Sequence, residues 1–355
     1  MGRVPRRSPA GYLVGLSARL PDFRRLEVAV VGDLVADRYV YAEPARVSRE
    51  APVLVLRWTG EELRPGGAAN AARNLRALGA KVRVLGCVGR DASGRDLLEA
   101  LEKDGIDLAG IESLPSWVTP TKTRILANEP RRTPQQVLRL DRDPSEPLPR
   151  DGAVRLANRM RDLIGQVDAV LLSDYDYGAI GDACAQSLQV LRRAPLSIAL
   201  DPRRSLDTMP GLLAATPNLE ELAWAARCDI RKLADPAELA RTATELRARL
   251  GHRYLLATLG NRGMTLFGED QPPLGLHVEP SGPESVIDVS GAGDTVAAAF
   301  LLALAARCEP AEAMRIANAA AGVVVMKPGT AACDRAELAD ALGGAPRPRE
   351  VRVQA

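Results

Sequence analysis

Aromatic residues make up only 3% of this 355-residue chain, and histidine occurs twice, at His252 and His277. So few rings offer no row of base-stacking platforms, and 47 basic against 45 acidic residues leave a formal net charge of only +2 and no phosphate-tracking stripe. Nucleic acid is therefore not an expected partner. Two imidazoles make a His-based zinc site or a Ser-His-Asp triad improbable. The five cysteines, Cys87, Cys184, Cys228, Cys308 and Cys333, are odd in number and never in C-x-x-C spacing, so reduced, mostly buried thiols are expected. No apolar run reaches the roughly 18 residues of a membrane span. Arg3, Arg6 and Arg7 precede "SPAGYLVGLSARL", which polar residues interrupt; it reads as a leader on a cytoplasmic protein, not a signal peptide. Ordinary apolar (46%) and charged (26%) fractions and ample length imply one large or two moderate domains with a full core. The chemistry is left to carboxylates and backbone.

Along the chain, "LEVAVVGDLVADRYV" begins as a buried strand ending at Gly32, which puts Asp33 and Asp37 in a polar loop just past it. Two β-rich patches, 45 to 64 and 119 to 141, alternate like strands on a sheet with one open face. Elsewhere strand and helix patterns take turns: "KVRVLGCVG", "SGRDLLEALEKDG", "DAVLLSDY", a helix near 181 to 193, "LSIALDP", "NLEELAWAA", a helix near 236 to 250, "RYLLATLG", and a long helix after Gly293. Repeated βα units predict an α/β fold, a mainly parallel sheet with helices on both faces, and the two patches predict a small β-sheet lid. "DRDPSEPLPRDG" reads as a proline-rich hinge.

Ligands of such sheets bind beyond the carboxyl ends of the strands. There "DVSGAGDTVAAAF" places Gly291, Ala292, Gly293 and Asp294 at the start of a helix, an anion-binding turn for a transferring phosphoryl group, with simple capping by Asp294 as the plain alternative. Thr258 to Gly263, "TLGNRG", is either a polyphosphate loop or a hairpin turn. In "TPNLEEL", Asn218 and Glu221 share one face of a first helical turn, suited to magnesium-bound waters and equally to a capping box. "RPGGAAN" sets Gly66, Gly67 and Asn70 at another helix start; with Asp37 these offer donor and acceptor groups for sugar hydroxyls, or mere close packing.

Taken in order, G-D-x-x-x-D, P-G-G-A-A-N, N-x-x-E, T-x-G-x-x-G and D-x-x-G-A-G-D strongly resemble the ribokinase-like (PfkB) carbohydrate kinase family over about 27 to 345. "GDLVADRYVY", "RVSREAPVLVL", "RPGGAANAARNL", "LSDYDYG", "TPNLEEL" and "NAAAGVVVMKPGT" look most like the heptose-7-phosphate kinases that feed ADP-heptose synthesis. The domain layout expected is a leader at 1–26, a kinase domain at 27–345 with its lid at about 38–64 and 117–141, and a tail at 346–355.

The resemblance implies ATP and Mg2+ as cofactors, a sugar phosphate as substrate and Asp294 as the base, with the N–H groups of Gly291, Ala292 and Gly293 as anion hole. It assigns Asn218 and Glu221 to magnesium, through water, and phosphate, and Thr258, Gly260 and Gly263 to nucleotide phosphates. Asn318 would flank adenine, Asp288 and Ser290 would hold a monovalent cation such as K+, and Asp37, Gly66, Gly67 and Asn70 would grip the sugar. Lid placement nominates Arg46, Lys122, Arg124 and Arg139 for a distal phosphate. Family members often pair their lids, so a homodimer is expected. Alternatives are a kinase of another sugar or nucleoside, or a non-catalytic sugar-binding protein, against which the intact Asp294 argues. Three departures stand out. Tyr177 replaces the Lys of S-D-Y-x-K-G, which could alter substrate choice. Ala331, Ala332 and Asp334 stand where hydroxyl residues are usual, against the cation. The nucleotidyltransferase domain that bifunctional relatives append is not expected within these residues.

Overall fold

The computed structural model describes residues 20–127, 134–283 and 285–351. One sheet of ten strands runs through it; in spatial order these start at Arg349, Leu276, Met264, Tyr254, Ala214, Ser197, Ala169, Glu27, Lys81 and Asp107. The seven from Tyr254 to Asp107 are parallel, and the three at the other edge are antiparallel. Alternate residues of the central strands feed two separate cores. Val28, Val30, Ala169, Leu171 and Leu256 face helices Ala68–Ala77, Ala292–Ala305 and Pro310–Val324. Ala29, Val31, Val170, Leu172 and Leu255 face helices Arg150–Arg161, Asp182–Leu191 and Pro236–Leu250. Burial on both faces is why these strands are apolar without alternation.

A second sheet holds four strands in the order Leu54–Gly67, Leu34–Val47, Thr121–Ala127 and Gln135–Arg142. Its strands begin nearer the main sheet than the sequence suggested. Asp37 is therefore not in a loop but inside a strand, where Val35, Tyr39 and Tyr41 supply the β-branched and aromatic residues a pleated surface favours. Leu54–Gly67 runs straight into helix Ala68–Ala77, so the small sheet is rooted where the main sheet ends.

Of the expected leader, residues 1–19 lie outside the described residues, and Phe23 is fully buried in the core with Arg335 stacked on its ring. Nor is the tail free from its start: Arg349 and Glu350 pair with His277 and Leu276 as the sheet's last strand. All five cysteines are unbridged, three of them buried. Among the described residues no helix is long and apolar enough to cross a membrane.

Candidate active site

Three neighbouring parallel strands end in the same way, an apolar run followed by aspartate: "VVGD", "LLSD" and "IALD". The register brings these ends together, pairing Gly32 with Ser173 and Ser173 with Asp201. Each acid then turns to a loop. Asp33 accepts the backbone N–H groups of Tyr175 at 2.8 Å, Tyr177 at 3.2 Å and Ala179 at 2.9 Å. Asp174 accepts those of Arg203, Arg204 and Ser205, at 2.9, 2.7 and 2.9 Å, and the Ser205 hydroxyl at 2.7 Å. Asp201 accepts the Thr216 hydroxyl at 3.1 Å. Burial raises Asp33 to about 6 against its three donors, and raises Asp201 well above the usual carboxylate range, with the charges of Asp294 and Glu221 adding to it. These three residues had no assigned role from the sequence; the thrice-repeated strand ending was the signal that could have found them.

Asp294 lies in the first turn of helix Ala292–Ala305 and is 2% exposed. Asn70 donates to its Oδ2 at 2.8 Å and the Tyr175 hydroxyl to its Oδ1 at 2.7 Å. Burial pushes this carboxyl up to about 7, opposed by those two hydrogen bonds. Gly291 enters the helix at φ +78, and a Cβ there would lie 2.4 Å from Asn70 Nδ2, so only glycine fits the turn and the Asn70 contact together. Of the three N–H groups expected to form an anion hole, one is directed elsewhere. Ala292 N–H is turned to Val289 O at 3.2 Å, leaving Gly291 and the first-turn position Gly293, whose N–H has no helical partner.

The sugar-side candidates meet on one face of the small sheet. Asp37 pairs in register with Lys122 and Lys122 with Asp141, while Tyr39 pairs with Arg124 and Arg124 with Arg139. Arg124 binds Asp37 at 2.5 Å, and Arg64 and Arg124 each stack 5.3 Å from the Tyr39 ring centre. A Cβ on Gly66 would strike the Asp37 carboxylate; Gly67 follows it as the last residue of the strand and the N-cap of helix Ala68–Ala77. Burial and the nearby Arg139 hold Lys122 below the usual lysine range. Arg139 itself is clamped to Asp141 at 2.6 Å, and Arg46 sits exposed further along its strand, paired with Val55 and outside this group.

On the other side, Asn218 and Glu221 form the full capping box that was the plain reading. Glu221 is nonetheless raised to about 7 by burial, opposed by its bond from Asn218 and by Arg203 at 3.6 Å. Thr258 bridges Asn218, and Gly260 and Gly263 lie in the turn between antiparallel strands Tyr254–Thr258 and Met264–Gly268. The hairpin reading is thus the geometry observed. Asn318 donates to Glu279 O at 2.9 Å. Asp288 accepts from the N–H groups of Ser290 and Gly329, both at 2.9 Å, which makes it a brace between the helix-start loop and the 325–330 segment.

Among the described residues no three His, Cys, Asp or Glu stand close enough to hold a metal ion. Burial opposes charge on the hard carboxylates Glu221 and Asp201, and an Mg2+ drawing its other oxygens from a nucleotide would fit them.

Residues 25–337 match the family model described as pfkB family carbohydrate kinase. The "Bifunctional protein HldE" of Koribacter versatilis is 36% identical over 89% of this chain and 63% of its own length. That of Pseudomonas aeruginosa is 39% identical over 91% and 65%. The chain thus spans slightly less than two thirds of these relatives. Among solved structures, phosphofructokinase-2 from Escherichia coli superposes with a TM-score of 0.75 at 18% identity, covering 90% of this chain and 98% of that one. Arabidopsis thaliana ribokinase, solved with ribose and ATP, gives 0.68 at 21%, covering 89% and 98%. The fold is ribokinase-like.

A carboxyl raised from 3.8 to about 7 on folding holds its proton more tightly folded than unfolded. Its contribution to stability is full below about pH 4 and is lost as pH rises through 7. Asp294→Asn, which keeps the shape without the charge, is expected to match the parent near pH 4 and to exceed it at pH 8 by on the order of a few kcal/mol. Urea denaturation at both pH values measures this, and equal stability at pH 8 would contradict it.

Proposed function

The chain belongs to the pfkB family of carbohydrate kinases, ATP-dependent phosphotransferases acting on a sugar hydroxyl, and we propose that its substrate is D-glycero-D-manno-heptose 7-phosphate, phosphorylated at the anomeric hydroxyl to the 1,7-bisphosphate. The observation that carries this reading is the pairing of a buried carboxylate at a helix start, Asp294, with a cationic sheet face of Lys122, Arg124 and Arg139. The one suits an acceptor hydroxyl, the other a phosphate on the same sugar.

In this reading Asn70 and Asp37 hold sugar hydroxyls, and Gly66 and Gly67 let the sugar approach. Asp294 takes the anomeric proton as that oxygen bonds to the γ-phosphorus of ATP. The bond to the bridging β,γ-oxygen breaks, and ADP leaves with the electron pair. Gly291 and Gly293 N–H groups face the charge on the transferring group, where positioning and electrostatics supply most of the rate. Glu221 and Asn218 would hold Mg2+ through water, an ion whose charge would offset that of the phosphates. Thr258, Gly260 and Gly263 border the phosphates and Asn318 the adenine. Asp288 and Ser290 brace the loop.

Tyr177 favours a second reading, a kinase of another sugar or nucleoside. Its hydroxyl donates to the Asp143 carboxylate at 2.5 Å, a neutral donor where the heptose kinases carry a lysine. A panel of heptose 7-phosphate, fructose 6-phosphate, ribose and adenosine, assayed for ADP release, separates the two: the first is expected to give the highest kcat/KM, and a higher value for any other would overturn the assignment. Asp294→Asn is expected to lower turnover at least about 10²-fold with ATP binding retained.

The face of the small sheet opposite Asp37 carries Leu138 and Leu140, 55% and 63% exposed, in register with Ile125 and Thr123, and Trp58, 62% exposed, lies across the sheet opposite Ala42. We assign this apolar face to a second copy of the chain. Leu140→Asp is expected to shift a dimer to monomer in light scattering; an unchanged dimer would remove this face from the contact.

A further inference from the structure

Tyr175 stands in the S-D-Y-x-K-G pattern without a role assigned to it there, yet its hydroxyl meets the proton-accepting carboxylate directly, donating to Asp294 Oδ1 at 2.7 Å. The rest of the residue is held with unusual firmness. Its N–H donates to the buried Asp33 carboxylate, which also fixes Tyr177 and Ala179. The next residue, Asp176, takes φ +65, a left-handed conformation rare outside glycine, and donates its own N–H to Asp174 at 2.9 Å. Strain of this kind persists only where the surroundings over-determine it, and it gathers at functional sites. The Tyr175 ring rests 3.4 Å from where a Gly67 Cβ would be, and Lys122 Nζ lies 5.9 Å from its centre. One side chain thus bonds the base, stands beside the root of the small sheet and lies within cation–π reach of that sheet's lysine.

Building on the reading of Asp294 as base, we propose that Tyr175 is its positioning residue: the hydroxyl stabilises the ionised carboxylate through Oδ1 and leaves proton transfer to Oδ2, beside Asn70. Several charged groups face this pair. Lys122 and Asp37 come from the small sheet and Asp201 from the neighbouring strand end. Asp37 and Asp201 oppose ionisation of Asp294, and Lys122 favours it. With two carboxylates nearby, the neutral donors Asn70 and Tyr175 are the close partners that hold the charge. Burial, and then the charge of Asp294, keep the phenol well above its ordinary range, so it stays a donor throughout the working pH. Phenylalanine at this position would fill the same space and leave Oδ1 without that partner.

The test is Tyr175→Phe beside Asp294→Asn. A carboxyl 13C NMR titration of the free protein follows Asp294, its signal assigned by its loss in Asp294→Asn. Turnover of heptose 7-phosphate with ATP is measured across about pH 5.5 to 9, as the ratio of variant to parent, which cancels ionisations of the substrates. In Tyr175→Phe the Asp294 midpoint is expected to rise by about one unit. The activity ratio is expected to be depressed about tenfold near pH 6 and to recover towards pH 9, with KM for ATP unchanged. An unmoved midpoint, or a loss of activity equal at every pH in a variant that melts like the parent, overturns the positioning role and leaves Asp294 as base intact. Full turnover in Asp294→Asn overturns the base, and the positioning role with it.

Discussion

A carboxylate kept from water is the constraint around which this molecule is arranged. Asp294 is 2% exposed, and an ionised acid is tolerated there only because its two oxygens have donors and a helix begins beneath it. Those donors come from far along the chain, Asn70 from the helix that follows the small sheet and Tyr175 from the loop after a central strand. Holding them demands the glycine turn at 291 and the Asp33 anchor under Tyr175.

Charge is divided between the two sheets. The main sheet's carboxyl edge gathers Asp33, Asp174, Asp201 and Glu221, several raised by burial. The facing side of the small sheet is cationic, with Lys122 lowered by burial and by its neighbour Arg139. Neither set is comfortable alone. On the proposed reading, a sugar phosphate beside the cationic face and a metal-bound polyphosphate beside the acidic edge would relieve both, and phosphoryl transfer brings together such a pair of molecules.

Much of this was legible in the residues. Apolar runs with alternating helices announced the parallel sheet, because burial on both faces removes the polar alternation of a half-exposed strand. Helices Asp182–Leu191 and Pro236–Leu250 fall where periodicity put them. The antiparallel edge was less readable: Leu276–Val278 and Arg349–Glu350 are three and two residues long, too short for a pattern. Asp37 was misplaced because one strand's end runs directly into the next strand's start. Motif spacing marked Asp294 and Asn70, but not that they touch, since that contact joins residues 224 positions apart. Likewise Ala292 looked like an anion-hole donor until its N–H turned to Val289, a choice of turn that glycine-rich sequence leaves open.

The most direct measurement is a crystal structure with heptose 7-phosphate and a non-hydrolysable ATP analogue. The anomeric oxygen is expected within hydrogen-bond reach of Asp294, about 2.6–3.2 Å, with the sugar's phosphate among Lys122, Arg124 and Arg139. A reacting hydroxyl directed away from Asp294, or a 7-phosphate bound elsewhere, would contradict this.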